Sequence, residues 1–364
     1  MTNVHLLGLP NAPTTADYPL CGFTQATRRF ARILDALGAH VTLYASDEND
    51  APCAELVPVI TREEQTTLLD DTPYQYATMA DKIGLWQLTN PRIAKAIGER
   101  KQPRDLICLI GGLSQQAVAA AHPDLMTVEY SIGYIGSFAP YRVYESQIWR
   151  HCTHGFQDQI DGRFFDAVIP LFFDPAEFPY QAIKEPFALY VGRLVPKKGV
   201  AVACEAAAIA GVPLKVIGHG DPALVTHGAE YLGVLPTVER NQWLARASCL
   251  ICPTLYLEPF GAMAVEAQLC GTPVLSTNFG GFVETVRHGE TGYRGDTLGD
   301  FVDALHHLDR LWDAGRIRDR AVQLYSLTTA TAAYRRYFDR LALLWDQGWA
   351  ILPAPSRAGE SVYV

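Results

Sequence analysis

The sequence has no long hydrophobic run, no basic excess, no cysteine framework and no cluster of metal-ligating side chains. Without a stretch of about 18 apolar residues, nothing in it reads as a membrane span. Lys and Arg number 30 against 39 Asp and Glu, a formal net charge of -9, which argues against a general nucleic-acid or anionic-membrane binder. Eight cysteines are scattered along the chain, and only Cys249 and Cys252 have the spacing of a metal or redox pair. They lack a partner pair and lie in an apolar strand pattern, so core packing is the better reading. Thiols in apolar segments fit a reducing compartment. Residues 1–8 enter a strand pattern directly with no basic leader, and a cytoplasmic location is expected. No two carboxylates stand out as the nucleophile and acid of a hydrolase.

What the chain does have is length and alternation. At 364 residues, 49% of them hydrophobic, it exceeds one ordinary core and should split into two domains. Strand and helix patterns alternate in both halves, the order that gives parallel sheets covered by helices. In the first half, strands are expected at 4–9, 39–44, 106–110 and 126–130. Helices are expected over 23–37, 76–88 and 93–100, with helical spacing again within 141–154. Four prolines between 170 and 186 mark a linker. In the second half, strands at 187–191, 214–217, 248–252 and 274–276 alternate with helices at 200–210 and 237–246. A helix over 300–311 and an amphipathic stretch over 330–349 follow, and 356–364 reads as a frayed tail. The expected division is 1–172, a linker 173–186, a second domain 187–329 and a tail 351–364.

One stretch organises the rest. Residues 253–276 run as loop, helix and strand after the strand 248–252, so the loop lies at the carboxyl end of a strand, where open α/β sheets bind ligands. Glu258 stands at the mouth of the helix and Glu266 eight residues further on. Pro259 is expected at the helix start and Gly271 at its end. The amides of Phe260, Gly261 and Ala262 would point out of the helix start, offering donors to hydroxyls or an anion. Two carboxylates beside such donors suit a polyhydroxylated, phosphorylated ligand such as a sugar nucleotide. Taken alone, the pair fits equally a favourable acidic residue at a helix start and an exposed helix residue.

The stretch from Glu258 to Val274 reads E-P-F-G-x-x-x-x-E-A-x-x-x-G-x-P-V, and in this it resembles the retaining GT-B glycosyltransferases of family 4. A second match, Gly192-Arg193-Leu194 with Lys198-Gly199, resembles that family's G-R-L-x-x-x-K-G run. The resemblance implies an α/β fold of two Rossmann-like domains facing a central cleft, with the helix at about 330–350 packing back on the first. It also implies transfer of a hexose, with retention, from a nucleoside-diphosphate sugar to a hydroxyl acceptor. UDP-glucose is the default donor, with no cofactor and no metal. By the same resemblance Arg193 and Lys198 hold the departing diphosphate, where two cations stabilise developing charge. Arg suits bidentate oxygen contacts and Lys acts as a point charge. Glu266 then binds the ribose diol, and Glu258 the donor sugar together with the amides of Phe260, Gly261 and Ala262. Leu235 and Met263 flank the nucleobase, a place that core packing would explain equally well.

The first half departs from the family pattern. Where paired glycines are usual after the first strand, only Gly22 follows Cys21. Where the resemblance leads to a His after Met126-Thr127-Val128, Glu129 stands, so Glu129, His151 or His154 is left to assist catalysis. Helical geometry sets 147, 151 and 154 on one face, expected to look toward the cleft. Sugar-nucleotide 2-epimerases and hydrolases share this architecture, but their acidic and His cluster is not recognisable here. A non-catalytic sugar-nucleotide binder is the third reading, against which intact Arg193, Lys198, Glu258 and Glu266 argue.

Overall fold

The computed structural model describes residues 3–16, 21–69 and 83–347. The chain divides into two compact units, Met1–Pro170 with Ala330–Val364, and Leu171–Thr329. The start of the helix expected at 76–88 and the tail at 351–364 lie outside the described residues.

Unit 1 is built on seven described strands: β1 (Asn3–Leu7), β2 (His40–Ser46), β3 (Glu55–Ile60), β4 (Leu106–Leu109), β5 (Met126–Ile132), β6 (Tyr141–Tyr144) and β7 (Asp166–Val168). They form one sheet in the order β3-β2-β1-β4-β5-β6-β7, every neighbouring pair parallel. Helices α1 (Gly22–Ala36), α2 (Arg62–Leu68), α3 (Ile83–Gly98), α4 (Gln116–Ala120) and α5 (Gln147–Phe156) connect them. The pattern reading leaves out β3 because Pro58 interrupts its run, and a strand at the sheet edge tolerates a residue without an N–H. Pro91 does not split α3, which runs through it as one helix rather than the two expected. The segment 141–154 is not one helix either. Tyr141–Tyr144 form β6, and Ser146 caps α5 by accepting from the Trp149 amide at 3.0 Å, so Glu145 lies outside the helix.

Unit 2 carries six described strands: β8 (Glu185–Val191), β9 (Leu214–Ile217), β10 (Glu230–Tyr231), β11 (Ala247–Cys252), β12 (Val274–Thr277) and β13 (Gly292–Gly295). Their order is β10-β9-β8-β11-β12-β13, again all parallel. Helices α6 (Val200–Ala210), α7 (Thr237–Arg246), α8 (Ala262–Leu269), α9 (Phe282–Thr285), α10 (Leu298–His306) and α11 (Ala314–Tyr325) surround it, followed by α12 (Leu327–Gln347). Alternation along β11 sends Leu250 and Cys252 into one core and Cys249 and Ile251 into the other. The two thiols therefore face opposite sides of the sheet, and burial pushes each up to about 12. Residues 173–186, expected as a linker, are part of unit 2. The Phe173 amide donates to the Tyr325 carbonyl at 2.9 Å, and the buried rings of Phe173 and Phe178 meet edge-on in the core.

From Ala330 onward the last helix belongs to unit 1. Phe30 of α1 stacks on Tyr130 of β5 with centroids 4.0 Å apart, and Tyr334 of α12 meets Phe30 at 4.9 Å. All three rings are fully buried, and the Tyr130 hydroxyl donates to Thr27 at 3.0 Å. The helix is thus fastened by an aromatic cluster. Phe30→Ala is expected to cost about 3–5 kcal/mol, as ring deletions in packed cores do. Urea unfolding reads this as a lower midpoint, and a loss below about 1 kcal/mol would remove the cluster from the core.

Candidate functional site

In unit 2 the chain reverses direction across the sheet between β8 and β11, the two central strands. A crevice opens outside the carboxyl ends of strands at such a switch point. The loop after β8 carries Arg193 and Lys198, and the loop after β11 carries Glu258. Their backbones touch. The Leu255 amide donates to the Lys197 carbonyl at 2.9 Å, and a Cβ added at Gly199 would lie 1.9 Å from the Pro253 carbonyl oxygen. Gly199 also has φ +74, so glycine is required there twice over. Beneath the first loop, the Tyr190 hydroxyl donates to the Arg193 carbonyl at 3.0 Å.

On this base the Lys198 ammonium donates to Glu258 Oε2 at 2.8 Å and lies 4.9 Å from the centre of the Tyr256 ring. Burial alone would lower the Lys198 pKa, but Glu258 and Tyr256 outweigh it and raise it, so Lys198 is a cation throughout the neutral range. Arg193 is exposed on the same loop. Beside it, the His219 pKa is lowered by burial and by the Arg193 charge. Neither His219 nor Tyr256 stands out in the sequence. His219 sits in a glycine loop after β9, and the Leu194 amide donates to its carbonyl at 2.7 Å.

Glu258 is held by its backbone as well. The Gly281 amide donates to the Glu258 carbonyl at 2.6 Å, and a Cβ at Gly280 would meet the Glu258 amide nitrogen at 2.7 Å. The glycine pair at 280–281 therefore serves to seat Glu258. Helix α8 begins at Ala262, later than expected, with Pro259 in the loop before it. Its N-cap is Gly261 at φ +85, with no side chain capping the first amides. Phe260 is buried in the core, while Ala262 and Met263 are partly exposed against it, as is Leu235.

Glu266 is not an exposed helix residue. It is 6% exposed, and its Oε2 accepts from Arg240 Nη2 at 2.6 Å. Arg240, in the first turn of α7, also reaches Met263 Sδ at 3.9 Å and donates to Asn241 Oδ1 at 2.9 Å. Unit 2 thus brings Arg193, Lys198 and Glu258 to the switch point, and sets Glu266 and Met263 with an arginine the sequence reading missed. Only its place, one turn into a helix and not far from Leu235, could have signalled it.

Unit 1 disposes of its candidates differently. Glu129, expected to assist catalysis, is 0% exposed, with Oε1 accepting from the Tyr134 hydroxyl at 2.8 Å and Oε2 from the Phe138 and Ala139 amides at 3.0 Å. It holds the loop after β5 in shape, with both carboxylate oxygens taken up by that loop. His154 is spent on Asp166 of β7 at 2.8 Å, while His151 is exposed beside Arg150. The face of α5 that packs inward is that of Trp149 and Thr153. Gly22 opens α1 in open space, where a Cβ would meet nothing within 4 Å, so its backbone does not demand glycine.

Burial raises the Glu129 pKa against the opposing pull of its amide and phenol donors. A folded pKa above the unfolded one gives stability that is present in acid and lost as pH rises through the folded value. Glu129→Gln removes that loss and keeps an acceptor for both amides, so it is expected to match or exceed the wild type in stability at pH 7. Glu129→Ala strands three donors and should cost about 3 kcal/mol or more. Urea midpoints from pH 4 to 8 check both, and equal losses in the two variants would contradict this account.

Residues 176–311 match the family model described as glycosyl transferases group 1. Over 181 residues the chain is 34% identical to the D-inositol 3-phosphate glycosyltransferase of Mycobacterium bovis, covering 42% of this chain and 38% of that protein. The chain therefore spans under two fifths of the length of the curated relatives it matches. Among solved structures, the sucrose-phosphate synthase of Thermosynechococcus elongatus is similar at a TM-score of 0.73 and 18% identity, over 94% of this chain and all of that one. HepE of Anabaena, solved in complex with UDP and glucose, is similar at 0.67 and 16%, over 93% of this chain and all of that one. The chain has the two-sheet α/β fold of the GT-B glycosyltransferases, and its second unit carries the group 1 glycosyl transferase sequence pattern.

Proposed function

We propose that this protein is a retaining glycosyltransferase that moves a hexose from a nucleoside-diphosphate sugar to a hydroxyl acceptor. The observation that carries the reading is the Lys198–Glu258 pair at 2.8 Å, spanning the loops at the switch point of the second sheet. Unit 2 is the donor side and unit 1 the acceptor side. UDP-glucose is the working donor, supported by the similarity to HepE, which has been solved with UDP-glucose.

In this reading the donor diphosphate lies over the loop after β8, against Arg193 and Lys198, beside the uncapped amides that open α8. Glu258 accepts from hydroxyls of the donor sugar and Glu266 from the ribose diol. Cleavage of the bond between the anomeric carbon and the diphosphate oxygen leaves added negative charge on the diphosphate. Arg193 and the cationic Lys198 stabilise it. The acceptor oxygen attacks the same face, its proton passing to the departing diphosphate oxygen, so configuration is retained. Positive charge is supplied by these two side chains, and the reaction is proposed to need no metal.

Incubation with UDP-, GDP- and ADP-sugars, scored for nucleotide release and for the configuration of the product by NMR, tests the reading. Release of free sugar or a 2-epimer without acceptor would favour an epimerase or hydrolase, and binding without release a non-catalytic protein. Arg193→Ala and Lys198→Ala are each expected to slow transfer about 10²-fold or more. Glu266→Gln should weaken binding of the free nucleotide, whereas Glu258→Gln should leave that binding intact and slow transfer. Wild-type rates in both cation variants would overturn the clamp.

A further inference from the structure

We infer that Arg240 is a positioning residue that makes donor recognition depend on the ribose hydroxyls, an inference resting on the reading of Glu266 given above. Arg240 is locked from several sides. Its Nη2 donates to Glu266 Oε2 at 2.6 Å and, with Nε at 3.2 Å, to Asn241 Oδ1. Asn241 is itself oriented, its Nδ2 donating to the Glu177 carbonyl at 3.0 Å. The third neighbour of Arg240 is Met263 Sδ. Both members of the ion pair are largely enclosed, with 18% of the Arg240 side chain and 8% of the Glu266 side chain exposed.

A glutamate has three rotatable side-chain bonds, and a ligand that must order it loses the free energy of doing so. The Arg240 fork removes that freedom beforehand and occupies Oε2, leaving Oε1 as the oxygen to meet a hydroxyl in a fixed direction. Preorganisation of this kind strengthens binding by lowering its ordering cost. It also sharpens discrimination, because a carboxylate oxygen that a bound nucleotide covers without offering a hydroxyl is left unpaired. Without Arg240 the carboxylate turns to water, and a ligand with or without the hydroxyl finds much the same site. Arg240 acts through Glu266 and does not touch the reacting atoms, so its removal should appear in donor KM and not in kcat.

The test uses the full chain and two probes, UDP and 2′-deoxy-UDP, titrated by calorimetry into wild type, Arg240→Met and Arg240→Lys. Wild type is expected to prefer UDP about 10- to 100-fold, the worth of one hydrogen bond to a charged group. Arg240→Met should bring the two affinities within about threefold, with kcat at saturating donor within about twofold of wild type. Arg240→Lys keeps the charge without the fork and should fall between. Because the ratio is taken within each protein, a general loss of stability moves both affinities together and leaves it unchanged; thermal melting follows that loss separately. Should Arg240→Met destabilise the fold, the ratio in Arg240→Lys decides. The wild-type ratio persisting in both variants overturns the inference, whereas a wild type indifferent to the 2′-hydroxyl overturns the ribose reading of Glu266 itself.

Discussion

Lys198 and Glu258 can meet because the backbones beneath them are in contact. With a side chain at Gly199 the loop after β8 would be forced off the Pro253 carbonyl, and with one at Gly280 the turn before α9 would be forced off Glu258. Two glycines on different loops thus set the spacing of one ion pair. The parallel sheet supplies the rest of the constraint, since β8 and β11 are adjacent central strands whose loops emerge at the same edge. A lysine and a glutamate sixty residues apart in sequence become a fixed pair because neither loop has room to choose another path.

The charges are then arranged in couples. Glu258 is joined to Lys198 and Glu266 to Arg240, with Arg193 exposed nearby. Removing one member of a largely enclosed pair leaves its partner uncompensated, which usually costs more than the pair is worth. For a phosphorylated, hydroxyl-rich ligand the arrangement permits an exchange of partners: anionic oxygens can take up the ammonium while hydroxyls take up the carboxylate. The site is therefore preformed by contacts of the same chemical kind as those it would make with a donor.

How much of this was legible in the sequence differs between the two units for physical reasons. In unit 2, α6, α7 and β9 fall where the residue pattern places them, because these elements are bounded by glycine, proline and short apolar runs. Lys198 and Glu258 were legible through fixed spacing to Gly199 and Gly261, which the fold requires as glycines. Arg240 was not, since an arginine on an amphipathic helix ordinarily points to solvent and only tertiary contact with Glu266 distinguishes it. In unit 1, β3 was hidden by a proline that an edge position tolerates, and Pro91 read as a break that α3 does not make. Glu129 read as reactive because it stands where the family resemblance leads to a His, and a carboxylate in an apolar strand needs a reason. The reason is architectural: it satisfies two amides and a phenol of its own loop.

That contrast between Glu129 and Glu258 separates polar groups that build a site from those that face one. Both are glutamates of parallel-sheet units, Glu129 within β5 and Glu258 in the loop that follows β11. Glu129 is fully enclosed and accepts from Tyr134, Phe138 and Ala139 of its own connection. Glu258 is only partly enclosed, and its partner is a lysine on a different loop. A carboxylate satisfied by main-chain amides cannot change partners without unfolding the loop that donates them. One satisfied by a flexible ammonium can release it to another anion by rotating side-chain bonds. Charge is shared by the two residues, so it is not the discriminating property. What differs, besides burial, is whether the partner is fixed to the backbone or free to leave, and on that ground Glu258 is the carboxylate able to exchange its partner for a ligand.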